Sequence, residues 1–165
     1  MESMNLFGQE PEPKTKKIRI RSIRAVFKSE VVRENAPAWV TAKCSCADNV
    51  FELFRDLAKE AKEHFVALHL DSKNRIICYD TVSVGSLSAS IVHPREVYKA
   101  ALLSSAAAIL FLHNHPSGET TPSREDIEIT RRLREAGELL GIRVLDHIII
   151  GEKGYYSFTD AGNLG

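Results

Sequence analysis

The chain has 165 residues, of which 44% are hydrophobic and 27% charged, and its 22 Lys+Arg balance 22 Asp+Glu for a formal net charge of zero. That length suits one domain with one real hydrophobic core. The charge balance argues against a domain-wide basic footprint for nucleic acid and leaves room only for a local patch, and the apolar runs fall far short of the ~18 residues a membrane span needs, so no membrane partner is expected.

Residues 1–17 are polar, carry Pro11 and Pro13, and read as a mobile tail ahead of a single domain over 18–165. The tail lacks the basic start and apolar core of a secretory signal. Cys44, Cys46 and Cys78 are odd in number and form no Cys-x-x-Cys pair, so reduced thiols in a cytoplasm are expected. The stretch KKIRIRSIRAVF alternates Ile18 and Ile20 with Arg19 and Arg21, as a half-buried strand does. Its basic side would face solvent or an acidic partner.

In SCADNVFELFRDLAKEAKE, the residues Val50, Phe54, Leu57 and Ala61 form one helical stripe, entered through Ser45 or Asp48 as a cap. HFVALHLD, the turn DSKN and RIICYDTVSV predict a β-hairpin over 64–84. After a Gly/Ser loop, Pro94 opens a helix through REVYKAALLSS. AAAILFLH has the composition of a buried central strand. SREDIEITRRLREAGELLG is the clearest helix, with Ile129, Leu133, Ala136 and Leu140 on its buried stripe and Gly141 closing it. IRVLDHIIIG predicts another buried strand, and GYYSFTDAG an edge strand. Strands and helices alternate around one mixed sheet, an α/β or α+β domain.

Chemistry concentrates in FLHNHPSGETTPSRED, residues 111–126. Side chains two apart on a strand point the same way, so His113 and His115 converge if strand geometry persists that far. The chain turns at Pro116-Ser117-Gly118 and returns to a helix start at Ser123, which brings Asp126 beside them. Two imidazoles and one carboxylate form a plausible catalytic zinc shell whose fourth position is left to water, although other divalent metals fit the same set. Ser123-x-x-Asp126 also reads as a capping box, with an acidic residue where a helix dipole favours it.

The pattern His-x-His-Pro-x7-Ser-x-x-Asp resembles the JAMM metalloprotease motif of the JAB/MPN superfamily. The surrounding sequence, with VHPREVYKAAL and LDHIIIG, is similar to the bacterial RadC branch from about residue 50 to the C-terminus. RadC proteins usually carry an N-terminal helical region of helix-hairpin-helix character. This chain shows a short tail and one strand there, so it resembles a stand-alone RadC-like JAB domain.

The resemblance implies a mixed, mostly antiparallel sheet flanked by helices, as in cytidine-deaminase-like proteins. It implies one zinc ion per chain, held by His113, His115 and Asp126. It also implies a catalytic glutamate before the hairpin, a role carried to Glu63, with Glu60 inside the predicted helix as the alternative. Glu63 would act as the base toward a zinc-activated water, and Ser123 would donate to the oxyanion. The implied reaction is hydrolysis of a peptide or isopeptide bond, with a protein or peptide as partner. The alternative is a non-catalytic or DNA-associated module of the kind the RadC branch's DNA-repair label suggests; zero net charge counts against it. A metallo-deaminase lacks its Cys-x-x-Cys ligands here.

Among the other histidines, His64 adjoins Glu63 and is expected to be exposed, while His69 and His93 read as structural. Asp146 and His147 interrupt an apolar strand. They are either a satisfied core contact or partners that orient a zinc-binding histidine.

Overall fold

The structure is a computed structural model that describes residues 42–85 and 92–164. The tail, the strand expected from Ile18 and most of the Gly/Ser loop lie outside the described residues. In chain order the elements are α1 (Ala47–Phe54), a 3-10 turn (Arg55–Lys59), β1 (Glu63–Leu70), β2 (Ile76–Gly85), α2 (Pro94–Leu103), β3 (Ala108–Asn114), α3 (Arg124–Leu140), β4 (Arg143–Gly151) and β5 (Gly154–Ser157).

The five strands form one mixed sheet in the order β2-β1-β3-β4-β5. The β1–β2 hairpin, β1–β3 and β4–β5 pair antiparallel, and β3–β4 pairs parallel. A parallel neighbour needs a crossover, which α3 supplies between β3 and β4. β3 lies at the centre, and every one of its residues is buried, as its unbroken apolar composition requires.

Helices cover both faces. Val50 of α1 packs with Val66, Leu68, Leu110, Leu112 and Ile148 on one side. Val97 and Tyr98 of α2 and Leu133 of α3 pack with Ala67, Ile109 and Phe111 on the other. Each fully buried Val, Leu, Ile or Phe among them contributes about 1.5–3 kcal/mol relative to exposure. Among the described residues, no helix is long and apolar enough to cross a membrane, and Cys44, Cys46 and Cys78 are all unpaired.

Local signals held where the chain carries its own cap. Ser123 caps α3, and Gly141 closes it, with Ile142 N–H donating to Gly137 O at 2.9 Å. His93 caps α2 by accepting Arg95 N–H at Nδ1, with Pro94 next. The first helix differs from expectation. Its N-cap is Cys46, with no side-chain cap bond, and its α-helical part ends at Phe54 before the 3-10 turn. Ala61 is consequently exposed in the following loop and leaves the expected stripe. Leu140 is also 41% exposed; Thr130 and Gly137 are buried on α3 in addition to Ile129 and Leu133.

Candidate metal centre

β3 delivers the first two residues of the cluster. His113 is fully buried near the strand's end, and His115 lies just beyond it. Their rings sit 4.8 Å apart, with Nε2 atoms 2.9 Å from each other. The chain then doubles back over the end of β4. His115 N–H donates to Ile150 O, Gly118 N–H to His115 O, and Glu152 N–H to Gly118 O. Gly118 has φ +82°, and a Cβ on Gly151 would collide with the Gly118 carbonyl oxygen. Both positions therefore demand glycine.

α3 delivers the third residue. Asp126, in its first turn, is fully buried. Its Oδ2 accepts from Ser123 N–H and from the Ser123 hydroxyl, each at 2.7 Å, while Ser123 Oγ accepts Asp126 N–H at 3.1 Å. The capping box and the proposed ligand set thus coexist. Capping uses Oδ2 and leaves Oδ1 with no hydrogen-bond partner despite complete burial. His113 Nε2 is 3.2 Å from Oδ1, and His115 Nε2 is 3.4 Å from Oδ2.

These distances have a direct chemical meaning. His115 Nδ1 lies 2.8 Å from Glu119 O. A carbonyl only accepts, so Nδ1 carries the proton and the neutral ring's lone pair is on Nε2. That lone pair faces another Nε2 and a carboxylate with an orphaned oxygen. Such a group needs a cation among its members, whether a proton or a metal ion. Ligand atoms of His113, His115 and Asp126 all lie within 4.8 Å of one another, and two imidazoles with one carboxylate match the donor set of zinc. The residues fit a metal.

Electrostatics agree. Burial pushes the Asp126 carboxyl up, but His113, His115 and Ser123 outweigh it and hold it well below the usual carboxylate range. Burial keeps His113 below its ordinary value, against the pull of Asp126. His115 is raised, first by its contact with Asp126. Asp126 is therefore ionised and His113 neutral near pH 7, the states that metal ligation requires.

Glu63 begins β1. The β1–β3 register pairs Phe65 with His113; continued by two residues, it sets Glu63 across from His115 on the same face. Its charge raises both His113 and His115. Beside it opens a cleft lined by Ala61, Lys62, Gly85, Pro116 and Ser117. Glu60 lies further out, half exposed, with its carboxylate 3.6 Å from His64 Nε2. His64 itself is half-buried rather than exposed. His69 bonds Ser104 and His93 caps α2, so neither joins the cluster.

Asn114 is a residue that sequence reasoning missed. Placed between the two histidines, it points to the opposite face. There Oδ1 accepts His64 N–H at 2.8 Å, and Nδ2 donates to Lys62 O at 3.0 Å and Glu60 O at 3.3 Å. It pins the segment that carries Glu63. The available signal was a fully buried amide in an apolar strand, which must find partners.

Asp146 and His147 separate. The β3–β4 register pairs Ile109 with Val144 and Leu110 with Asp146, so Leu145 is an extra residue in β4. Such a bulge reverses the alternation of side chains. Leu145, Ile148 and Ile150 pack on the α1 side, and His147 is turned toward His113, with Nε2 2.7 Å from His113 Nδ1. Asp146 is a satisfied core contact. It accepts His147 N–H, Thr159 N–H and the Ser157 hydroxyl, and burial raises its carboxyl.

The sequence around this cluster is similar to known proteins. The family model described as RadC-like JAB domain matches residues 44–163. A UPF0758 protein of Syntrophotalea carbinolica is 59% identical over 116 residues, covering 70% of this chain and 51% of the relative. One from Geotalea uraniireducens is 60% identical over 114 residues, covering 68% and 50%. One from Methanosarcina mazei is 47% identical over 147 residues, covering 88% and 64%. The chain spans about half the length of the first two and under two thirds of the third.

Proposed function

The chain belongs to the RadC-like JAB domain family, and from its buried cluster we propose that it is a zinc-dependent metallohydrolase acting on peptide or isopeptide bonds. The observation that carries this is the convergence of the His113 and His115 Nε2 atoms on an ionised, partly orphaned Asp126, with the Glu63 charge acting on both histidines.

His113, His115 and Asp126 would hold the zinc. When bound, zinc lowers the pKa of a water toward ~7 and polarises a carbonyl oxygen. Glu63 takes the proton of the attacking water and delivers it to the departing amine. Its place on the cleft lined by Lys62, Gly85 and Pro116 gives it access to an extended substrate. The Ser123 hydroxyl now donates to Asp126 Oδ2; a rotation turns it to the developing oxyanion while its oxygen keeps accepting Asp126 N–H. No covalent nucleophile is needed. An amide is favoured over a phosphodiester because phosphodiester cleavage usually uses two metals, and among the described residues His113, His115 and Asp126 are the one cluster found.

The test is zinc content followed by turnover on a panel of peptide and isopeptide substrates. The wild type should carry about one zinc per chain and cleave members of the panel. Glu63→Gln should keep its zinc and lose hydrolysis. A zinc-free wild type, loss of zinc in Glu63→Gln, or zinc-dependent cleavage of DNA would each overturn the assignment.

A further inference from the structure

Resting on the zinc-site reading above, we propose that Thr130 and His147 form a tautomer lock that fixes the lone pair of His113 on Nε2, where the metal is to bind. Both are positioning residues that act through His113.

The lock is read from hydrogen-bond bookkeeping along one chain of atoms. Thr130 sits in α3 one turn after Asp126, and its hydroxyl donates to Asp126 O at 2.5 Å. A hydroxyl has one proton, so Thr130 Oγ1 has only acceptor capacity left. His147 Nδ1 is 2.6 Å from that oxygen; Nδ1 must therefore be the protonated nitrogen. His147 is fully buried, against Phe65, Phe111 and Phe158, with the Phe158 ring stacked on it at 5.0 Å. An imidazole in that apolar shell, bonded to a hydroxyl and a second imidazole, stays neutral. Its Nε2 then only accepts. The atom 2.7 Å away is His113 Nδ1, which must donate. His113 Nε2 is left with the lone pair, facing His115 Nε2 and Asp126 Oδ1.

Asp126 thereby serves the centre twice. Its carboxylate is a ligand, and its main-chain carbonyl, through Thr130 and His147, sets which nitrogen of another ligand is bare. The bulge at Leu145 makes the arrangement possible by turning His147 to the α3 side. Partners that orient a metal-binding histidine are usually carboxylates, carbonyls or waters, and their loss costs about 10–100-fold in metal affinity or activity. Here a neutral, buried imidazole takes that place, and its own orientation is borrowed from a helix carbonyl.

The experiment reads tautomers directly, from imidazole nitrogen chemical shifts of the metal-free protein at mildly alkaline pH, and then titrates zinc against a competing chelator. The wild type should show a proton on Nδ1 of both His113 and His147. Thr130→Val keeps the side chain's shape but removes the hydroxyl. It should shift His113 toward the Nε2–H tautomer and weaken zinc binding about 10–100-fold. Thr130→Ser should restore both. A wild type with His113 protonated on Nε2 overturns the lock, even should every variant fail to fold. So does Thr130→Val with wild-type tautomers and wild-type zinc affinity. A wild type that shows the expected tautomers yet takes up no zinc supports the lock and overturns zinc as the metal of the site.

Discussion

Two buried histidines, on neighbouring strands and at opposite ends of the sheet, obey the same local chemistry and come to different ends. Near the close of β1, His69 Nδ1 is 2.7 Å from Ser104 Oγ, whose own proton goes to Ala101 O at 3.0 Å. Near the close of β3, His113 leans on His147, which leans on Thr130, whose proton goes to Asp126 O. In each case a hydroxyl committed to a helix carbonyl dictates a neighbouring tautomer. At His69 the second nitrogen is buried with no partner, and burial holds the ring below its ordinary value. At His113 the second nitrogen meets another imidazole and a carboxylate. Orienting an imidazole is thus a common event in a packed α/β fold; a metal centre additionally needs other donors aimed at the same point.

That contrast can be broken first through the metal. His113→Ala and Asp126→Ala should each fall from about one zinc per chain to almost none under a mild chelator, because two ligands cannot close a three-point site. His69→Leu should keep its zinc. Metal analysis of the three variants checks this, and a zinc-loaded Asp126→Ala or a zinc-free His69→Leu would erase the distinction.

A second substitution separates ligand placement from base placement at the His113 end. Asn114→Ala leaves the His64 N–H and the Glu60 and Lys62 carbonyls without their buried partner. We expect a loss of about 3 kcal/mol in chemical denaturation, together with slowed turnover at unchanged zinc content. Parallel loss of zinc would mean that the segment before β1 supports the ligands as well as Glu63.

The smallest effect belongs to the isolated histidine. Ser104→Ala removes the nearer partner of His69 Nδ1–H, leaving Cys78 Sγ at 3.5 Å, and should cost about 1 kcal/mol, with zinc binding unaltered. A change in zinc affinity would show that the two ends of the sheet communicate.

Much of this was legible in the sequence, for identifiable reasons. The hairpin, the central strand and α3 announce themselves through turn residues, an unbroken apolar run and a cap at each end of the helix. His113, His115 and Asp126 could be grouped because strand alternation and a short strand-to-helix loop are local geometry. The 3-10 turn after Phe54 was not legible, because its apolar residues fit a helical stripe as well. Leu140 sat on the right stripe yet outside the contact, since tertiary packing decides how much of a stripe is used. Asn114 was hidden by lying between two conspicuous neighbours. His147 resisted assignment for a different reason: simple alternation places it with Leu145 on the α1 side, and nothing in RVLDHIIIG marks the extra residue.

That extra residue makes the centre sensitive to counting. Val144 and His147 share the α3 side although they stand three apart, which only the bulge allows. Removing one residue between them would leave them two apart, and plain alternation would then keep the imidazole on the same side without a bulge. Pairing the strand straight with every residue in place would instead turn the imidazole to the α1 side. What this strand has to keep at that point is the match between its residue count and its kink.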